Sequence, residues 1–190
     1  MYITNGQALN ALINVGSAIA CILLMLVRVP GIDMFGIGPN WPVIWLVAWS
    51  LRRSLPQAII AGLVMGFLSD SISAPQPSHA VPLVIAAVIT FVLSKLLLKN
   101  IQEDFISVAM IVFGMAIIVE MIRSLQFSQW GLGTITNDLA DIWSDRQKIA
   151  LSSAILSSLL APVVYFPLSR WWKFHQKHHQ IPSLRNRSRV

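Results

Sequence analysis

The chain has 190 residues, of which 55% are hydrophobic and only 12% charged, and soluble domains of this size rarely reach that balance. Its apolar runs have no charged face around their circumference, which excludes a soluble bundle of amphipathic helices. The net charge of +6 comes mostly from the segment after Arg170, where a basic tail following a last helix reads as a topology determinant that attracts anionic lipid, not as a nucleic-acid surface.

A membrane-crossing helix needs about 20 mostly apolar residues, and five stretches come close: Leu9–Val29, Pro56–Ile72, Ala80–Leu98, Phe105–Leu125 and Ile149–Trp171. A sixth, over residues 38–51, carries Trp41, Trp45 and Trp49 after a start broken by Gly36, Gly38, Pro39 and Pro42, and reads as a short, Trp-anchored spanning helix. The expectation is an all-α integral membrane protein with a single six-helix domain over 1–172 and a basic tail over 173–190. No basic flank precedes the first run, so it reads as a helix of the mature protein and not as a cleaved signal. Cys21 lies in the middle of that helix with no companion thiol and reads as packing.

Six crossings put both termini on one side, and the loops sort by their Lys and Arg. One side collects Arg52, Arg53, Lys95, Lys99, Arg170, Lys173, Lys177, Arg185, Arg187 and Arg189, and the other holds Arg28, Arg123, Arg146 and Lys148. Ten against four makes the first side cytoplasmic, with both ends on it. Asp33, Asp70, Glu120, Asp138, Asp141 and Asp145 then fall on the outer half. Within the long outer connection, Gln126 to Lys148, the run Thr136, Asn137 and Asp138 would cap a short helix lying on the membrane interface, with a plain loop as the alternative.

Three features inside the apolar runs carry information. Ala58, Gly62, Gly66 and Asp70 recur at intervals of four and line one face of the third helix. The two glycines let another backbone come close, either inside the protein or on a partner, and internal packing is the favoured reading. Asp70 ends that helix, and the polar turn after it, which contains Pro75 and no Lys or Arg, suits hydration outside. In the sixth helix Ser153, Ser157 and Ala161 form a small-residue stripe, and neighbouring hydroxyls are placed to satisfy carbonyls around Pro162. Gly16 and Ala20 give the first helix a weaker version of the same spacing. Glu120 is the acid deepest in an apolar run, and Arg123, three residues on, shares its face. The pair reads either as an intramembrane functional site or as a boundary pair reaching toward the headgroups.

No catalytic set emerges. An intramembrane hydrolase would need a nucleophile with His, paired Asp, or a His-x-x-x-His motif, and His79, the one histidine ahead of the tail, has no partner visible in the sequence. His175, His178 and His179 sit in the polar tail without Cys or acid beside them, so no metal is expected there. Gly-rich nucleotide loops are missing as well. No enzyme activity and no cofactor are expected.

The run IGPNWPVIWLVAWSLRRSLPQAIIAGLVMGFLSDSISAPQPSHA, the later IQEDFISVAMIVFGMAIIVE, and IALSSAILSSLLAPVVYFPLSRWW in the last helix resemble the rod-shape-determining membrane protein family MreD, in its cyanobacterial form. The resemblance spans roughly Arg28 to Trp172. Its most specific part is the series Gly62, Gly66, Asp70, Ser73 and Pro75. Many members continue the turn with Pro-x-Gly or Leu-Gly, whereas Gln76, Pro77, Ser78 and His79 follow here. The resemblance implies a fold similar to the substrate-binding subunits of energy-coupling-factor vitamin transporters. It also implies a non-enzymatic subunit of the elongation machinery in the bacterial plasma membrane. Its partners would be MreC, the actin-like MreB, and the peptidoglycan glycosyltransferase and transpeptidase. The competing expectation is a transporter subunit that holds a small ligand such as a vitamin in an outward pocket.

Overall fold

The computed structural model describes the backbone of residues 5–27, 36–73, 78–97, 105–130 and 139–187, and the side chains within 8–27, 36–73, 78–96, 106–126 and 147–171. Among the described residues the chain is all-helical: α1 (Asn5–Leu26), α2 (Trp41–Ser50), α3 (Leu55–Ile72), α4 (Ala80–Leu97), α5 (Phe105–Trp130) and α6 (Leu139–Arg187). Four helices contain stretches long and apolar enough to cross a membrane: Ala8–Leu26, Leu55–Ile72, Ile106–Gln126 and Gln147–Trp171. Leu12, Phe67, Ile106 and Leu159 stand exposed on them, as expected of a helical membrane protein, whose surroundings are as apolar as its interior.

The shortest helix is the centre of the bundle. α2 packs against each of the other five helices, and every one of its residues except Trp49 is buried. Its start is set locally: the Asn40 side chain accepts a hydrogen bond from the Val43 N–H at 3.3 Å, and Pro42 occupies the first turn, where its missing N–H has no intrahelical acceptor to lose. With 10 residues, α2 is about 15 Å long, half the hydrocarbon thickness of a bilayer. Of the three tryptophans that the sequence reads as anchors of a spanning helix, two turn into the bundle. Trp41 and Trp45 are buried, and the Trp45 indole N–H donates to Ser17 Oγ of α1 at 2.9 Å. Trp49 stacks on Trp45 with ring centroids 5.7 Å apart, and the Arg53 guanidinium lies 5.2 Å from the Trp49 ring centre. The Trp45 indole serves helix packing, its buried N–H meeting a protein acceptor.

α3 opens with Pro56 in its first turn and the Ser54 N–H donating to the Gln57 side chain at 3.4 Å. α6 extends beyond the expected 149–171 in both directions. At its start, residues 139–148, expected as a separate interfacial helix or a loop, form its first turns. Thr136, Asn137 and Asp138, the expected caps, lie outside the described residues. At its end, α6 carries the polar tail in helical form as far as Arg187, in keeping with the helix propensity of its Lys, Arg and Gln. Pro162 interrupts the backbone ladder by leaving the Ser158 carbonyl without its intrahelical N–H. Nearby, Ser157 Oγ donates to the Ser153 carbonyl at 2.6 Å and Ser158 Oγ to the Ile155 carbonyl at 2.8 Å.

Candidate functional site

Two adjoining constructions are built where the end of α3 and the start of α4 come together beside α5 and the start of α2. The first closes α3 onto α4. A Cβ added at Gly62 would stand 2.9 Å from Val84 Cα and 3.1 Å from the Leu83 carbonyl oxygen, and one added at Gly66 would collide with the backbone of Ala80. Both glycines are therefore spent on internal backbone contact between α3 and α4. Gly16 has open space at the same test, so among the described residues no close helix contact uses it.

The close approach delivers Asp70 to the start of α4. Its Oδ2 accepts from Ser78 Oγ at 2.7 Å, and its Oδ1 accepts from the His79 backbone N–H at 2.7 Å and lies 2.6 Å from His79 Nδ1. Ser78 Oγ in turn accepts from the Ala80 N–H at 3.2 Å. One carboxylate thus caps the first turn of a neighbouring helix across the intervening turn, with its charge at the positive end of α4. The polar turn beyond Asp70 suggests hydration, but in the structure protein groups supply its hydrogen bonds, and its side chain is only 17% exposed. Pro75, expected in this turn, lies outside the described residues.

His79 has no partner visible in the sequence, but it has one in the structure. Its side chain is 8% exposed. An ionised Asp70 only accepts, so Nδ1 carries the proton and donates it to Asp70 Oδ1. Burial pushes the imidazole pKa below its ordinary value of 6.5 and the Arg123 charge pushes the same way, outweighing Asp70 and Glu120. The ring is consequently neutral at pH 7, and its Nε2 is a bare acceptor. That nitrogen is buried without a hydrogen-bond partner.

The second construction is a cavity of about 310 Å³ lined by residues of all six helices, or beside their ends, and of the lead into α2. His79 contributes to its wall together with Asn40, Ser69, Glu120, Arg123 and Ser153, while Trp41, Leu83 and Val119 supply apolar wall. Glu120 and Arg123 meet at 3.4 Å, with side chains 14% and 23% exposed. The contact is long for a charge-assisted bond, and Arg123 Nε is left without an acceptor. The pair faces a cavity and not only the boundary.

The α6 stripe closes this end. Ser153, Ser157 and Ala161 are buried, and Ser157 Oγ accepts the Asn40 backbone N–H at 2.8 Å, joining α6 to the lead into α2. Among the described residues no group of three or more His, Cys, Asp or Glu is placed to hold a metal ion. Asn40 and His79 are the site residues that spacing did not reveal. The signal for His79 was present as a nine-residue separation from Asp70 across a turn, which becomes a contact only once Gly62 and Gly66 bring the helices together. No family model, curated protein or solved structure matches the chain.

Proposed function

We propose that the chain is a non-enzymatic membrane subunit of the cell-elongation machinery, of the MreD kind, that binds MreC and helps place lateral peptidoglycan synthesis. One observation carries the reading. Gly62, Gly66 and Asp70, the most specific residues of the resemblance, build one rigid unit, the α3–α4 closure with its capped turn. A unit of this kind suits a protein whose task is to present a fixed surface. α1 adds a second feature: only 11% of its candidate span is buried, leaving an apolar helix face for lipid or a partner helix.

In this reading the chain crosses the plasma membrane six times with both termini in the cytoplasm. α4, with 18 residues, is about 27 Å long, enough to cross a thin bilayer. α2 reaches that depth only together with its lead. Residues 37–40 add about 13 Å if extended, and non-helical backbone at membrane depth is tolerated where it lines a cavity, as Ile37–Asn40 do. MreB and the elongation-specific glycosyltransferase and transpeptidase would then be complex members, and lipids the remaining surroundings.

Depletion in a rod-shaped host is expected to give round cells, and MreC is expected to co-purify with the tagged chain. Unchanged shape together with absence of MreC would overturn the proposal. The cavity favours a second reading, the substrate-binding subunit of a small-molecule transporter, because such a subunit needs a concave pocket with polar groups in its wall. A vitamin retained through purification would favour it over the first.

A further inference from the structure

Arg52, Arg53, Lys95 and Arg170 gather at the end of the bundle away from the cavity. The close approaches of Gly66 to Ala80 and Gly62 to Val84 set an antiparallel register between α3 and α4. Carried on turn by turn, that register brings Ser54 level with Val92. Arg52 and Arg53, in the turn between α2 and α3, therefore stand at the depth of Lys95 near the end of α4. α6 reaches the same level: it packs along α2, Ser157 holds the Asn40 N–H at 2.8 Å, and Arg170 follows Ser157 by as many residues as Arg53 follows Asn40.

Arg53 is the residue built for a ligand. It is half-buried, its guanidinium lies over the Trp49 ring at 5.2 Å, and burial lowers its pKa. Among the described residues no carboxylate pairs with Arg53, Lys95 or Arg170. A cation partly withdrawn from water without a counter-charge is costly, and an aromatic face offsets only part of that cost. No hydrogen bond among the described residues engages the Arg53 N–H groups, and none of its nitrogens is sealed from the surface. Packing on a ring occupies the flat face of a guanidinium and leaves its N–H edge open, the edge that grips a phosphate through two parallel bonds. Lys95 repeats the arrangement more loosely, exposed with Nζ 5.6 Å from the Phe91 ring centre.

The surface beside these cations selects among anions. Val92 and Phe166, one turn inward from Lys95 and Arg170, are exposed, as is Leu55 at the start of α3. An anion seated on Arg53 thus has apolar helix surface on its membrane side. A soluble acidic segment gains nothing there, whereas a phospholipid lays its acyl chains along it. We propose that the α2–α3 turn is a binding site for one anionic phospholipid, with Arg53 gripping the phosphodiester and Lys95 and Arg170 adding positive charge around it. Basic pockets between helices at a cytoplasmic end take headgroups of this kind. The site differs from the diffuse attraction of lipid to the tail, and it stands whether the chain serves cell elongation or transport.

The test is native mass spectrometry of the full chain released from detergent micelles, titrated with palmitoyl-oleoyl phosphatidylglycerol or with the phosphatidylcholine of the same chains. The first phosphatidylglycerol is expected to bind more tightly than later ones and more tightly than phosphatidylcholine. Arg53→Gln should weaken that first binding about tenfold, the loss of a hydrogen-bonded contact to a charged group. Arg53→Lys, which keeps the charge without the fork, should weaken it by less, and Arg185→Gln in the tail should leave it unchanged. Equal retention of the two lipids by the wild-type chain would overturn the proposal. So would a loss that follows Arg185→Gln but not Arg53→Gln, displacement of the lipid by sodium phosphate, which marks a free-phosphate site, or an oligoglutamate peptide binding in place of phosphatidylglycerol. The wild-type comparison of the two lipids decides the matter even if a variant fails to fold.

Discussion

At Asp70 a single carboxylate is the end of one helix and the cap of the next. Its two oxygens collect a hydroxyl, a backbone N–H and an imidazole N–H. Replacing it with alanine leaves the Ser78 hydroxyl and the His79 N–H groups without their acceptor, and the stability lost is about 1–3 kcal/mol, measurable as a lower midpoint in detergent-solubilised thermal unfolding. His79 adds a pH dependence of definite sign. Its folded pKa lies below 6.5, so the unfolded chain binds the extra proton first, and stability contributed by the neutral ring is complete above about 6.5 and falls as pH drops through the folded value. A ¹⁵N titration should place the His79 midpoint below 6.5, with the proton on Nδ1 in the neutral form. A midpoint above 6.5 would contradict the assigned burial and tautomer.

Among the elements, α3 is held against α4 by what its glycines lack. Gly66→Ala forces a methyl group into the Ala80 backbone and Gly62→Ala one against Val84, and backbone cannot move aside as a flexible side-chain tip does. Each variant is expected to lower the unfolding midpoint clearly, by overpacking worth about 1–3 kcal/mol or more. Gly16→Ala, in open space, should be neutral or slightly stabilising, since alanine is the better helix former by about 1 kcal/mol. The same assay on all three separates the internal face from the unused one. In α6, Ser157→Ala removes the acceptor of the Asn40 N–H. The expected loss is again about 1–3 kcal/mol, together with faster amide exchange at Asn40.

Helix positions were legible in the sequence because uninterrupted apolarity and Gly/Pro breaks are local properties. Five of the six expected segments fall on α1, α3, α4, α5 and α6, and the sixth on a shorter α2. Burial was not legible, and the reason is physical: lipid tails and protein interior are equally apolar, so hydropathy cannot tell a central helix from a peripheral one. α1 and α2 are both apolar, yet α2 is almost wholly buried whereas only 11% of the candidate span in α1 is. Gly62, Gly66, Glu120 and Arg123 could be singled out from spacing along one helix. The Asp70–His79 contact and the cavity could not, because they join residues from different helices whose approach depends on packing. Asn40 escaped for the same reason, its partner Ser157 lying 117 residues away.

At the scale of the whole molecule, sidedness and partnership are each open to a direct test. If both termini are cytoplasmic, a cysteine at Ser54, between α2 and α3, reacts with membrane-impermeant maleimide only from the cytoplasmic face, and one at Ser71, exposed near the end of α3, only from the outer face. The opposite pattern would invert the charge-sorted topology. The central claim is that this chain acts by holding MreC at the membrane, and α1 is the described helix with the most surface to give: Leu12, Val15 and Ile19 are exposed along it. Photo-crosslinking from these three positions in native membranes, with Phe67 on α3 and Val163 on α6 as further reporters, tests it most directly. The account predicts an adduct with MreC from at least one of these faces. Crosslinks to lipid alone from every position, in cells where MreC is present, would contradict it.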